Sequence, residues 1–322
     1  MELSIVTSLY RSAPYLGEFY RRVSKAAEQL GRSFEIILVN DGSPDDVLEI
    51  ALELRANDSR VCVVDLSRNF GHHKAMMTGL AYARGTRVFL LDADLEEEPE
   101  LLLTFSETMD QTAADVVFGV QDQRKGRAFE RLSGTLFYRF FNAVSAQQVV
   151  PNQLCARLMT RRYVDSLLAH RDREIFLMGL WAVTGYRQVA LEVRKQHKGT
   201  STYTLPRKVD LAVDAVTSFS NRPLVLLFYL GTLILIMSIL GAVYLITRRL
   251  FFGHLLPGWA STMVTIGFMG GLNLFSVGLV GIYLSKVFSE TKDRPYTVVR
   301  EVYPSDSSGL VHDGVFSRES GE

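Results

Sequence analysis

Between positions 223 and 285 the chain carries no formally charged side chain except Arg248 and Arg249. No other feature constrains the fold as strongly, because 63 residues with so little charge do not make an ordinary water-facing surface. Residues 223–246 contain no charge at all, and at about 1.5 Å per residue they span roughly 36 Å as a helix, enough for a hydrocarbon core of about 30 Å. A second uncharged run, 259–284, follows a connection holding Arg248, Arg249, His254 and a Pro257-Gly258 turn. The expectation is a transmembrane hairpin whose ends lie on one side, where Arg222, Lys286, Lys292 and Arg294 supply the positive flank. Arg248 and Arg249 would then snorkel to the far headgroups, a re-entrant hairpin being the alternative. Gly270 and Gly271 are expected at a close helix contact.

The neutral total of 35 basic and 35 acidic residues is a sum of cancelling blocks. Positions 1–193 hold 22 basic and 26 acidic residues, 194–222 six and two, and 286–322 five and seven. The basic block belongs beside anionic headgroups or a phosphorylated lipid, and no nucleic-acid partner is expected. Within it, 204–222 alternates apolar Val209, Leu211, Ala212, Val213, Val216 and Phe219 with Arg207, Lys208, Asp210 and Asp214. That pattern suits an amphipathic juxtamembrane helix in the interface plane, or else a core helix of the preceding domain. The N-terminus lacks a basic segment followed by a long apolar run, so the first domain is expected to face the cytosol. The tail 286–322 is expected to be cytoplasmic and disordered after about residue 304. Cys62 and Cys155 are too few for a disulfide framework and read as small buried hydrophobes.

The first half alternates strand and helix. Residues 3–9, 34–39, 61–66 and 87–91 are short apolar runs, separated by helical periodicity over 14–30, from the 41–44 turn through 55, and over 74–84. This pattern predicts an α/β domain over residues 1–203 with a mainly parallel sheet, whose ligand groups lie at the carboxyl ends of the strands. Every polar motif falls there: 8–10, 40–43, 65–71 and 92–94. Two carboxylates spaced as in Asp92-Ala93-Asp94, just past a buried strand, can hold a hard divalent cation that bridges the phosphates of a nucleotide diphosphate. His72-His73 read as turn histidines near that site, since adjacent residues do not share a face, and Trp181 reads as core or interfacial.

The segments VNDGSPDD (39–46), LSRNFGHHKAMMTGLAYARG (66–85), LLDADLEEEPE (90–100) and GIYLSKVFSETKDRPYTVVRE (281–301) together resemble family 2 glycosyltransferases of the polyprenyl-phosphate type, the dolichol-phosphate mannose synthase and undecaprenyl-phosphate sugar synthase group. The resemblance implies a GT-A domain, inversion at the anomeric carbon, Mg²⁺ or Mn²⁺ at Asp92 and Asp94, and transfer from a nucleotide diphosphate sugar to polyprenyl phosphate at the cytosolic face, a bacterial inner membrane being the expected setting. It implies donor contacts at Thr7, Tyr10, Asp41, Arg68, Asn69 and Asp92. The segment QRKGRAFERLSGTLFYRFFN (123–142) resembles the acceptor side, where Arg127 and Arg131 at i and i+4 would meet the lipid phosphate. Residues 296–302 resemble an element that pairs between subunits, and a homotetramer would fit.

Three departures stand out. Many members carry Asp-x-Gly-Asp-Phe-Arg-Leu-Met where this chain has Asn152-Gln153-Leu154-Cys155-Ala156-Arg157-Leu158-Met159, so a carboxylate assigned as general base is missing. The usual Gly-x-Ser-Lys is Gly199-Thr200-Ser201-Thr202, with Lys198 upstream as a substitute cation beside Ser201. The loop after the DxD becomes Glu96-Glu97-Glu98, leaving Asp94 or Glu97 as catalytic candidates. A lipid monophosphate with a second pKa near about 6 is already an anionic nucleophile at neutral pH and needs positioning more than deprotonation. A sugar hydroxyl needs a base worth about 10²- to 10⁴-fold. The missing acid therefore favours a phosphate acceptor over a lipid-diphosphate-linked saccharide. A catalytically inactive nucleotide-sugar-binding scaffold is the reading of another class.

Overall fold

Four apolar runs form the middle of the sheet: β1 (Leu3–Leu9), β2 (Phe34–Asn40), β3 (Val61–Leu66) and β4 (Arg87–Leu90). Almost every residue in them is buried, as expected of parallel strands covered on both faces. β1 pairs in parallel with β2 and β4, and β2 with β3. The crossovers are α1 (Ala13–Gln29), which opens on Pro14, α2 (Val47–Asn57) and α3 (His72–Tyr82). Helices α1 and α2 bury Leu16, Phe19, Val23, Val47 and Ala51 against Leu3, Ile5, Ile36 and Leu38. Helix α3 covers the opposite face, where Gly79 lies against Val6 and Val39. The computed structural model describes residues 1–121, 150, 152–170, 172, 175, 177–193, 222–252, 258–292 and 294–305.

The second half adds α4 (Leu101–Thr112), β5 (Val116–Gln121), β6 (Gln153–Thr160), α5 (Arg161–Leu168), α6 (Leu177–Thr184) and β7 (Gln188–Val193). β6 runs antiparallel to both β4 and β5, while β5 and β7 are parallel. The sheet has eight strands in the order β7-β5-β6-β4-β1-β2-β3-β8, four of its seven pairings being parallel.

Its last strand, β8 (Val299–Tyr303), lies within the expected tail 286–322 and ahead of the part expected to be disordered after about residue 304. The segment pairs antiparallel with β3 of its own chain. Local chemistry favours this. Arg300 donates to Asp65 at 3.2 Å and to the Ser67 carbonyl at 2.8 Å, and the Thr297 and Thr78 hydroxyls meet in the core at 2.8 Å. Arg55 reaches the Pro304 carbonyl at 3.0 Å, and Arg84 donates to Ser305 Oγ at 2.9 Å. Arg84 also pairs with the buried Glu35 carboxylate, which accepts from Ser4 Oγ at 2.6 Å, so one polar knot ties the start of β1 to residue 305.

A separate unit contains α7 (Arg222–Phe252) and α8 (Trp259–Thr291), of 31 and 33 residues. Both overrun the expected spans of 223–246 and 259–284, and both are long and apolar enough to cross a membrane. Their large apolar side chains face outward, with Leu226 70% and Leu274 77% exposed. Among the described residues, a Cβ placed on Gly270 or Gly271 meets nothing within 4 Å. The chain leaves the sheet after β7 and rejoins it at β8, so any crossing of a bilayer between them occurs an even number of times. The amphipathic segment 204–221, the connection 253–257, the tail 306–322, and Arg127, Arg131, Lys198 and Ser201 lie outside the described residues.

Gly85 shows how tightly the sheet closes. A Cβ there would sit 2.5 Å from Ser4 N, 2.7 Å from Leu3 C and 2.8 Å from Arg87 O, all backbone atoms that cannot turn aside. Gly85→Ala should cost about 1–3 kcal/mol. The exposed helical Gly17, with nothing within 4 Å, should instead gain up to about 1 kcal/mol on Gly17→Ala. Thermal melts of the detergent-solubilised protein should move in opposite directions for the two variants.

Candidate active site

The polar residues gather where β1 to β4 end. Because β6 is antiparallel to β4, its first residues come to the same end. The β4–β6 register pairs Leu90 with Arg157, and continuing it by two residues sets Asp92 opposite Cys155. The donor atoms of His72, Asp92 and Cys155 lie within 4.8 Å of one another. His72 Nε2 is 3.2 Å from Asp92 Oδ1, and its Nδ1 shares a 2.9 Å hydrogen bond with Ser8 Oγ. His72 thus comes from the start of α3, Asp92 from the end of β4 and Cys155 from the start of β6.

Charge and burial pull these groups in different directions. Burial alone would lower the pKa of His72, but the hydrogen bond to Asp92 and the charges of Asp92, Asp41 and Asp94 outweigh it, and the net shift is upward. His73 moves down, from burial and then from its charged neighbour, with Nδ1 3.2 Å from the Ile175 carbonyl. Burial pushes the Cys155 thiol well above its ordinary value, and Asp92 and Glu97 push it the same way.

Asp41 and Glu97 have turned inward. Asp41 accepts backbone N–H bonds from Phe70 at 2.7 Å and Gly71 at 3.0 Å, which fixes the loop that presents exposed Arg68 and Asn69. Its pKa is raised by burial against the effect of those bonds. Gly42, at φ +56°, lets that loop approach, since a Cβ would strike the Arg68–Asn69 backbone. Glu97, 1% exposed, accepts from the backbone N–H of Cys155 at 3.1 Å and of Ala156 at 2.6 Å. Between the two regions Leu95 takes φ +60°, an unusual conformation for a side chain with a Cβ, and turns the chain from Asp94 toward Glu97. Asp94 accepts from Glu96 N at 2.9 Å.

Of the residues expected to contact a donor, Asp41, Arg68, Asn69 and Asp92 meet at the strand ends. Tyr10 is 46% exposed just past β1. Thr7 is completely buried within β1, a strand covered on both faces. Sequence reasoning passed over Cys155 and Arg157. Arg157 is fully buried, stacked on Trp181, with its guanidinium donating to the carbonyls of Leu154 and Cys155 at 3.3 Å each. Burial lowers its pKa to about 10, which leaves it charged at neutral pH.

Residues 4–168 match the Glycosyl transferase family 2 domain. A Mycobacterium tuberculosis protein whose name places it among the glycosyltransferases is 53% identical over 306 residues, 95% of this chain and 90% of that one. The uncharacterized glycosyltransferase YkcC of Bacillus subtilis is 32% identical, over 97% of this chain and 98% of its own length. A prophage-derived bactoprenol glucosyl transferase of Shigella flexneri is 30% identical, over 94% of this chain and 98% of its own. The chain is a family 2 glycosyltransferase. Its mostly parallel mixed sheet is that of a GT-A domain.

In this glycosyltransferase Glu97 is oriented as a brace. Both oxygens already accept bonds from β6, which fits a carboxylate that holds Cys155 against Asp92 better than one taking a proton from substrate. Glu97→Gln would turn an amide N–H toward one of those backbone N–H groups. The expected result is about 1–3 kcal/mol of lost stability with turnover falling alongside it. A general base would lose about 10²- to 10⁴-fold in kcat with an unchanged melting temperature.

Proposed function

We propose that this glycosyltransferase moves a hexose-type sugar, with inversion, from a nucleotide diphosphate sugar to polyprenyl phosphate at the cytosolic face of a bacterial inner membrane. One observation carries the reading. The bactoprenol glucosyl transferases match 93–94% of this chain and 98–99% of their own length, so the likeness extends past the family domain through the apolar helices to β8. The acceptor chemistry agrees, since a phosphate oxygen needs no proton removed and this chain has Cys155 where an acid would serve as base.

Asp92 and Asp94 would hold Mg²⁺ or Mn²⁺, and the converging donor atoms around Asp92 fit a divalent cation. When bound, the cation supplies charge neutralisation at the diphosphate leaving group. The protein's own groups do the positioning. Asp41 fixes the loop that offers Arg68 and Asn69 to the nucleotide, Tyr10 offers a ring beside it, and Arg127, Arg131, Lys198 and Ser201 receive the lipid phosphate.

Purified protein with Mg²⁺ or Mn²⁺, labelled nucleotide sugars and undecaprenyl phosphate should yield a mild-acid-labile glycolipid, reduced by about 10²-fold or more in Asp94→Ala. Transfer to a lipid-linked saccharide and never to the lipid phosphate would sink the reading. Unchanged turnover in an Asp92→Ala, Asp94→Ala double variant would remove the cation site. Arg131→Ala should raise KM for polyprenyl phosphate by about 10- to 100-fold, the worth of one charge-assisted hydrogen bond, with KM for the nucleotide sugar unchanged.

A further inference from the structure

We propose that Cys155 Sγ and His72 Nε2 join Asp92 Oδ1 in a nitrogen, oxygen and sulfur donor set that makes the cation site of this enzyme selective for borderline-soft divalent ions, of the zinc and cobalt class, over magnesium. The inference rests on the reading of Asp92 as a cation ligand and adds the two donors that set its preference. Three side chains from three separate elements bring one ligand atom each within 4.8 Å of the others. The three donors therefore converge closely enough for small side-chain adjustments to bring them onto one ion at bond lengths of about 2.0–2.3 Å.

The surroundings agree with a ligand set. A metal-bound imidazole usually has its second nitrogen hydrogen-bonded, and Ser8 Oγ stands 2.9 Å from His72 Nδ1. With Nε2 on the ion, Nδ1 carries the proton and donates it to Ser8. Cys155 is held in place by Glu97, which accepts its backbone N–H, so the sulfur is presented by a braced strand rather than a loose loop. Behind it, Met76 Sδ lies 3.6 Å from Cys155 Sγ, giving the site a polarizable wall. Magnesium prefers an all-oxygen octahedron and gains little from thiolate and imidazole, whereas cobalt and zinc gain from both. On binding, the sulfur–hydrogen bond breaks, a metal–sulfur bond forms and the proton leaves to solvent.

The test uses the full chain in detergent with a phosphine reductant. Added Co²⁺ should give a near-ultraviolet thiolate-to-cobalt charge-transfer band that saturates at one ion per chain, and Zn²⁺ should abolish the band where excess Mg²⁺ does not. Cys155→Ser should remove the band and weaken Co²⁺ and Zn²⁺ binding at least about 10-fold while leaving Mg²⁺ binding unchanged. Cys62→Ala should keep the band, since Cys62 is buried in β3. Thermal melts establish that the variants are folded. Wild-type protein that shows no band, or a band that survives Cys155→Ser, overturns the proposal. If such a protein still transfers sugar to polyprenyl phosphate with Mg²⁺, the proposed function stands without it. A cobalt band in a protein that transfers no sugar to lipid phosphate leaves the site standing and removes the function.

Discussion

The active end of the sheet depends on one buried carboxylate. Glu97 accepts the first two strand N–H groups of β6 that face it, Cys155 and Ala156. These bonds attach the loop after β4 to a strand that arrives from a distant part of the chain. Without them the antiparallel register of β4 and β6 would be set by ladder bonds alone as far as Leu90 and Arg157. Buried and charge-assisted, such bonds are strong, and an unsatisfied carboxylate in the same place would be costly. The loop pays locally with Leu95 at φ +60°. Asp41 does the equivalent on the other side by accepting from Phe70 and Gly71. Two carboxylates, one expected as a catalytic candidate and the other as a donor contact, thus each hold a neighbouring backbone segment through its N–H groups.

The architecture was legible because parallel strands buried on both faces are continuous apolar runs, and β1 to β4 read in that way. The ligand end was legible too, since the polar residues cluster just past those runs. Pairing across long sequence separation was not. Nothing in 299–303 states that it will edge β3, because the decision lies in Arg300 meeting Asp65 and Thr297 meeting Thr78, contacts over more than 200 positions. Cys155 read as a hydrophobe for the same reason: its apolar neighbours are visible in sequence, but Asp92 is brought opposite it only by the β4–β6 register. Thr7, for which the family resemblance implied a donor contact, is completely buried in a strand covered on both faces.

Arg157 shows the energetic limit of sequence reading. A fully buried guanidinium is ordinarily paired with a carboxylate, yet its described partners are carbonyl oxygens and an aromatic face. The pKa falls to about 10 because burial disfavours the charge, with Glu97, Cys155 and Tyr163 offsetting part of that penalty. The cation therefore contributes positive potential behind the carboxylates without forming a salt bridge that would neutralise any one of them.

That potential bears on the reaction. A nucleotide diphosphate and a lipid phosphate are both anions, and in the proposed reaction they would meet beside Asp41, Asp92 and Asp94. Carboxylates alone would repel both substrates. Arg157 beneath the site, exposed Arg68 and the divalent ion proposed at Asp92 would provide compensation from different directions. In such a site the identity of the ion changes how strongly the leaving diphosphate is stabilised, so a thiol in reach of Asp92 is a chemical choice with consequences for rate. A carboxylate at position 155 would add a further negative charge beside Asp92 and Glu97. A neutral thiol does not, and it becomes anionic only with a cation present to balance it.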